Sequence, residues 1–582
     1  MPTAEVTPYT LLHSDRRFYV PDFQRPFSWG SEEVRELWTD LLPVVSGTQK
    51  ELFLGTIVLE TSQPGKAIIW DGQQRLATLV MVLAACRDRL RVGPGGTDPG
   101  LAAEIDLAIV GGALAPTRTP AIILGDTDDR TFREFALLAP GDPAKKTAAF
   151  WKGVPVTKRR SDWSPRVVDA VTGFQQLVEG FAVEGAKTYG GEVEAIKELL
   201  TALLHKIRMV KFETISEDEA FRLFEVLNDR GLELSAADLI KNFLLSRVGA
   251  TPKLRAEMKQ KWDAMSRTIG SERLTAYIRH FYMSRYGRTT KNDLYDRIRD
   301  LCSGTPTATT SPSQLLSDVS DGADLYARIT TDDGGAWTSV ALNDSLDTLR
   351  RLGATQWIPL VLAAQSLGMG EPEYQKIAHV AEVLFIRSVA VGGKNPNSLD
   401  RLFADAASAM WKAGNQGAIA TAREAALKHA LETVRGATPG DVEFRDRLND
   451  LSDLPTSRVR MILEKLERQI QSERKGGAIP LLKILDMEHI YPETDGKDWP
   501  SPGAPDYVLE PDRQRLGNLT LLHLTRNRAQ KNSGFSKKQP VYASSALEIT
   551  KEVAAYRKWD LVSIRDRQSK LAEIALLAWA LI

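Results

Sequence analysis

The stretch Leu76–Leu90, LATLVMVLAACRDRL, constrains this chain more than any other. It is rich in helix formers and offers water almost no polar face before Arg87. A helix of that kind must be wrapped by other elements, so it is expected at the centre of a domain. Two β-rich runs precede it, ELFLGTIVLE and KAIIW, separated by the turn TSQPG, and together they predict a hairpin. Earlier still, SEEVRELWTDLLPVV carries a Ser cap, early acids and Val34, Leu37, Trp38, Leu41 and Leu42 at helical spacing. FYVPDFQRPFSW reads as extended, broken by Pro21 and Pro26.

After this mixed region, SEDEAFRLFEVLNDRG and SAADLIKNFLLSRV predict two capped helices around the turn NDRG, Asn228 to Gly231. From about Thr251 the pattern is almost wholly helical, interrupted by loops at Ser303–Gln314 and Gly392–Ser398. The expected class is α+β and predominantly helical, in three parts: 1–250, a helical middle over 251–398, and a last domain over 399–582. A chain of 582 residues has room for them. Lys plus Arg number 75 and Asp plus Glu number 75, so the whole chain carries no net attraction for a polyanion and any such binding must be local. Two distant cysteines, Cys86 and Cys302, exclude a disulfide framework and a cysteine-based zinc site. The N-terminus lacks a signal-peptide pattern, and no apolar run approaches the ~18 residues of a membrane span. A soluble, cytoplasmic protein with no membrane partner is expected.

Between the strand KAIIW and the apolar helix lies DGQQR, Asp71 to Arg75. Asp71 is suited to capping free backbone N–H groups, and Gly72 lets the backbone approach a ligand closely. The helix N-terminus offers donors and partial positive charge to a phosphate. Arg75 can add a charge-assisted contact, and Gln73 and Gln74 can meet a base or ribose. A plainer reading stands beside this one, in which Asp71 caps and Arg75 pairs with a nearby acid. A second polar cluster, Gln24 and Arg25, is flanked by Phe23, Phe27 and Trp29.

FQRPFSW, FLGTIVL, DGQQRLATL and FEVLNDRGLELSAADLIKN, in that order, resemble the ParB/sulfiredoxin-like N-terminal domain of GmrSD-type, modification-dependent restriction enzymes. The resemblance covers roughly the first 250 residues. It implies that Asp71, Gly72, Gln73, Gln74 and Arg75 contact a nucleoside triphosphate, GTP or UTP, with Gln24 and Arg25 opposite, and that its hydrolysis regulates cleavage. NDRG and Lys241 are family signature too, assigned to architecture. Ala77 stands where the family often has Thr.

Near the other end, LDMEHIYPE is followed by LGNLTLLHLTRN. Hydrolysing a phosphodiester needs a base for water, stabilisation of the charged phosphate and a support for the base. A lone histidine is more often structural, and GNLT taken alone is a turn. The ordered set Glu488, His489, Asn518 and Asn527, with the second asparagine nine positions after the first, resembles the His-Asn-Asn form of an HNH, or ββα-metal, nuclease. That resemblance makes His489 the general base and Asn518 the residue that orients it. It gives Glu488 and Asn527 to one Mg²⁺ or Mn²⁺. His523 is a rival ligand off the motif, and GKDWPSPGAPDYVLEPD is a loop insertion. Between Pro511 and Lys538 stand Arg513, Arg515, Arg526, Arg528, Lys531, Lys537 and Lys538 against Asp512 alone, which favours contact with DNA phosphates. Asn532, Phe535 and Lys537, then Trp559, Ile564 and Arg567, continue the resemblance to the same restriction family.

The expectation is therefore an NTP-regulated endonuclease of phage defence acting on modified double-stranded DNA, alone or as a homo-oligomer. Two branches of the family fit, one attacking glucosylated hydroxymethylcytosine DNA and one sensing phosphorothioate DNA. A nucleotide-regulated DNA-binding protein with an inactive nuclease site and an RNA-cleaving defence effector are the alternatives.

Overall fold

The computed structural model describes residues 3–21, 24, 26–110, 119–155, 159, 163–217, 219–220, 223–224, 235–248, 251–302, 310–332, 337–415, 420–475, 485–525, 527 and 532–581. They form two compact units, Met1–Arg247 and Val248–Ile582. The chain is predominantly helical, with a small mixed sheet.

In the first unit, strands β1 (Thr3–Val6), β2 (Arg17–Tyr19), β3 (Leu52–Glu60), β4 (Lys66–Asp71), β5 (Ile122–Ile123) and β6 (Ile207–Thr214) make one sheet in the order β1-β6-β3-β4-β2-β5. β3 and β4 are the predicted antiparallel hairpin, with Leu59 opposite Ile69. β3 also runs parallel to β6, and β4 parallel to β2. The apolar helix spans Gln73–Val92 and buries nearly its whole circumference, from Leu76 through Cys86. It shares one core with Ile57, Ile69, Val171, Phe174 and Leu199 from the sheet and the surrounding helices, as its composition demanded.

The strand-to-helix junction uses a different device from the one expected. Gly72, not Asp71, is the helix N-cap, and it holds φ +89°. That backbone region favours glycine, and a Cβ there would lie 2.9 Å from the Thr56 carbonyl oxygen. Gly72→Ala should cost roughly 2–3 kcal/mol of stability, read by equilibrium denaturation; an unchanged midpoint would mean that β3 yields freely at Thr56. Likewise helix Ser31–Val45 starts on Gly30, whose N–H donates to the Glu33 carboxylate at 2.7 Å, so Ser31 lies inside the helix instead of capping it. Helix Ala236–Arg247 is headed by Ser235, whose hydroxyl accepts from Asp238 N at 3.2 Å. The NDRG turn lies outside the described residues.

Among the described residues, the second unit is built of helices and the loops that join them over its first two hundred positions. The loop expected up to Gln314 ends earlier, because Ser311 caps helix Pro312–Asp321. Helix Asp400–Asn415 packs on Ser271–Tyr286 and Ile358–Ser366. Near the C-terminus a two-stranded antiparallel sheet, β7 (Leu485–His489) and β8 (Leu519–His523), separates two cores. Leu485, Leu519 and Leu521 belong to one, with Leu466, Leu571 and Trp579. Leu522 belongs to the other, with Tyr491, Tyr542 and Trp559. No described helix is long and apolar enough to cross a membrane.

Candidate functional site

The paired strands bring His489 and Asn518 to the same end of the sheet, with His489 opposite Leu519, the residue after Asn518. His489 closes β7 and keeps 14% of its side chain exposed. Its Nε2 lies 3.3 Å from Gln514 Oε1 and 3.4 Å from Glu493 Oε1. Neither neighbour was singled out from the sequence, although Glu493 stands four positions after His489 and Gln514 four before Asn518.

Asn518 does not touch the imidazole. It is fully buried in a 3₁₀ turn, Leu516–Asn518, and its amide is saturated. Its Oδ1 accepts from Tyr491 N at 2.8 Å and Trp559 Nε1 at 2.9 Å. Its Nδ2 donates to the carbonyls of Tyr491 and Arg513, each at 2.8 Å. Asn518 therefore pins the backbone two residues past His489. The last long helix, Leu561–Ala578, secures the same turn. Arg567 donates to the carbonyls of Gly517 and Leu519 at 2.8 Å each, while burial draws its guanidinium down to about 10. Gln568 accepts from Gly517 N at 3.2 Å and donates to Leu448 O at 2.7 Å. The sequence marked Trp559 and Arg567 only as family signature; their supporting role depends on contacts 41 and 48–50 positions away.

Glu488 and Asn527 do not meet. Successive residues on a strand face opposite sides, and Glu488 turns away from His489 into the interior. Its Oε1 accepts from Lys538 Nζ at 2.7 Å and from Tyr542 OH at 2.8 Å. Asn527 reaches the middle of β7, where Nδ2 donates to Met487 O at 2.9 Å and Asp486 Oδ2 at 3.3 Å. Among the described residues no group of three His, Cys, Asp or Glu is placed to hold a metal ion. The arrangement does not fit a cation shared by Glu488 and Asn527. His523, paired with Leu485, lies four residues along β8 from the His489 end, roughly 13 Å at ~3.3 Å per residue, and is no rival there.

Two of the four described members of the basic run, Arg513 and Lys538, are buried. Lys538 has no exposed surface, and Arg513 donates to Val508 O, Glu493 O and Asp495. This corrects the expectation that they face phosphate: buried cations require partners inside the protein. Arg515 is held by Asp512 and donates to Asn449 O at 3.0 Å. Lys537 is 66% exposed and pairs with Asp498 at 2.7 Å. Arg526, Arg528 and Lys531 lie outside the described residues.

In the first unit, the two polar clusters do come together. Gln24 Nε2 donates to Ile69 O and Trp70 O at 2.9 and 3.0 Å. Gln74 accepts from Ser28 N at 3.0 Å and donates to Pro26 O at 3.3 Å. These amides stitch the extended segment to the end of β4. Gln73 is buried beside them, and Arg25 lies outside the described residues. Arg75 donates to Thr56 O and lies 3.6 Å from Asp71, which also accepts from Thr56 Oγ1 at 3.1 Å. Arg75 remains 27% exposed at the start of the helix, where an anion would compete with Asp71 for it.

Comparison with known families matches residues 9–245 to the GmrSD restriction endonuclease N-terminal domain and residues 438–574 to the GmrSD restriction endonuclease C-terminal domain. Comparison with curated proteins finds no match.

Proposed function

Because this chain belongs to the GmrSD family of type IV restriction enzymes, phage-defence endonucleases whose substrate is DNA, we propose that it cuts or nicks DNA according to modification state, that a nucleoside triphosphate controls the cut, and that His489 is the general base. The observation that carries the proposal is the half-buried His489, whose ring nitrogen meets Gln514 and Glu493 while Asn518 pins the backbone behind it. Geometry of this kind suits an imidazole that takes a proton from water as the oxygen attacks phosphorus and the bond to the leaving oxygen breaks. Glu493, on the exposed side, lies 3.4 Å from the same nitrogen. Lys537, the one strongly exposed cation among the described members of the basic run, is the candidate phosphate contact.

In the N-terminal unit, the start of the Gln73–Val92 helix with Arg75 beside it is the seat assigned to the triphosphate. Anion binding there exchanges the Asp71 carboxylate on Arg75 for phosphate. The amides of Gln24, Gln73 and Gln74 shape the seat.

Plasmid cleavage in Mg²⁺ or Mn²⁺ tests the proposal, comparing unmodified, phosphorothioate and glucosylated hydroxymethylcytosine DNA with and without GTP or UTP. Cleavage should depend on modification, and Arg75→Ala should remove NTP turnover and its effect on cutting. Turnover unchanged in Arg75→Ala would leave DGQQR as a structural knot. NTP turnover without cleavage of any DNA would favour a regulatory DNA-binding protein.

A further inference from the structure

Directly behind the strand that carries His489 lies an ion pair removed from water. Lys538, in helix Phe535–Ala543, has no exposed surface, and Glu488 is 4% exposed. The Lys538 ammonium donates to Glu488 Oε1 at 2.7 Å, His489 O at 2.8 Å and Ile490 O at 3.2 Å. An ammonium has three protons, and these three acceptors use them all. Tyr542, one helical turn on, donates its hydroxyl to the same carboxylate oxygen.

A buried ion pair is a poor means of gaining stability, since apolar residues of similar volume often serve as well or better. What this one does is geometric. It ties two consecutive carbonyls where β7 ends, while Asn518 ties the next residue, Tyr491, from the other side. The segment His489–Tyr491 is thereby held at successive peptide groups.

We propose that Glu488, Lys538 and Tyr542 form a clamp that fixes the direction of the His489 side chain, with Lys538 as the positioning residue and Glu488 as its counter-ion instead of a cation ligand. The inference rests on His489 being the base. Burial lowers the proton affinity of Lys538, and Glu488 opposes that shift.

The test uses the full chain and the DNA form that the wild type cuts, measuring kcat, KM for DNA, half-saturating Mg²⁺ and thermal melting. Glu488→Gln keeps an acceptor for Lys538 and should leave half-saturating Mg²⁺ unchanged. The paired replacement Glu488→Met with Lys538→Met leaves no lone buried charge. It should fold but lose about 10²-fold in kcat, as expected for a base misplaced by an ångström, with KM for DNA unaltered. A tenfold rise in half-saturating Mg²⁺ for Glu488→Gln overturns the clamp, and so does wild-type kcat in the folded double variant. His489→Ala in the same assay separates the two claims. Full activity there removes the base and the clamp with it, whereas an inactive His489→Ala beside a fast double variant removes the clamp alone.

Discussion

Replacing His489 by alanine should reduce DNA cleavage by roughly 10²–10⁴-fold, the usual contribution of a positioned general base, while the protein melts as the wild type does. The second half of that expectation follows from the contacts. Nε2 makes only the long 3.3 and 3.4 Å approaches to Gln514 and Glu493, and Glu493 is 59% exposed. Polar contacts of that length and exposure contribute little to folding. Cα and the backbone oxygen stay in place, so Lys538 keeps its grip on the His489 carbonyl. NTP turnover should be unaffected, because DGQQR belongs to the other compact unit. Time courses of plasmid cleavage beside a circular-dichroism melt decide the matter. A folded His489→Ala protein that still cuts at the wild-type rate would end the assignment of this strand pair as the nuclease site.

Asn518→Ala should fail in the opposite manner, losing fold and activity together. The substitution strands the N–H of Tyr491 and the indole of Trp559, and it deprives the carbonyls of Tyr491 and Arg513 of a donor. Each buried group left unpaired costs about 1–3 kcal/mol; with partial relaxation the sum should be about 3–5 kcal/mol. Chemical denaturation of the second unit's transition reads that loss. Asn518→Asp separates the contributions, since the carboxylate still accepts from Tyr491 and Trp559 but cannot donate to the two carbonyls. A loss below about 1 kcal/mol for Asn518→Ala would show that water replaces the amide, and the pin would not be structural.

Much of this was legible in the sequence where the signal is local. An apolar helix without a polar face must be central, and Gln73–Val92 is. TSQPG between two β-rich runs joins an antiparallel hairpin. The order of His489 and Asn518 predicted a shared site; the strand register brings the two to one end of the sheet, with the Asn518 amide on the backbone of Tyr491 instead of on the imidazole. Elsewhere two local rules competed. Motif resemblance put Glu488 with Asn527 on one ion beside the His489 base, whereas the period of a strand sends the consecutive side chains of Glu488 and His489 to opposite faces; the second rule holds here, and Glu488 meets Lys538 instead. Illegible positions depended on distant partners. Lys538 reads as one more surface cation until Glu488, fifty positions earlier, is folded beneath it. Arg513 is in the same position with respect to Asp495 and the Glu493 carbonyl. At the DGQQR junction, Asp71 is the best capping residue by type, but the positive φ needed there falls one residue later, on Gly72.

The helix Leu561–Ala578 does more than close the second core. It reaches the Gly517 and Leu519 carbonyls through Arg567 and, through Gln568, joins that turn to Leu448. A Cβ on Gly517 would strike the Ile564 carbonyl of the same helix. The strand pair bearing His489 is consequently not a portable cassette. A genetic exchange with its seams inside the stretch from Leu448 to Gln568 would import a histidine without the surface that aims it. Exchange of this segment between related chains should therefore preserve the turn at Gly517 only when its joints fall outside that stretch.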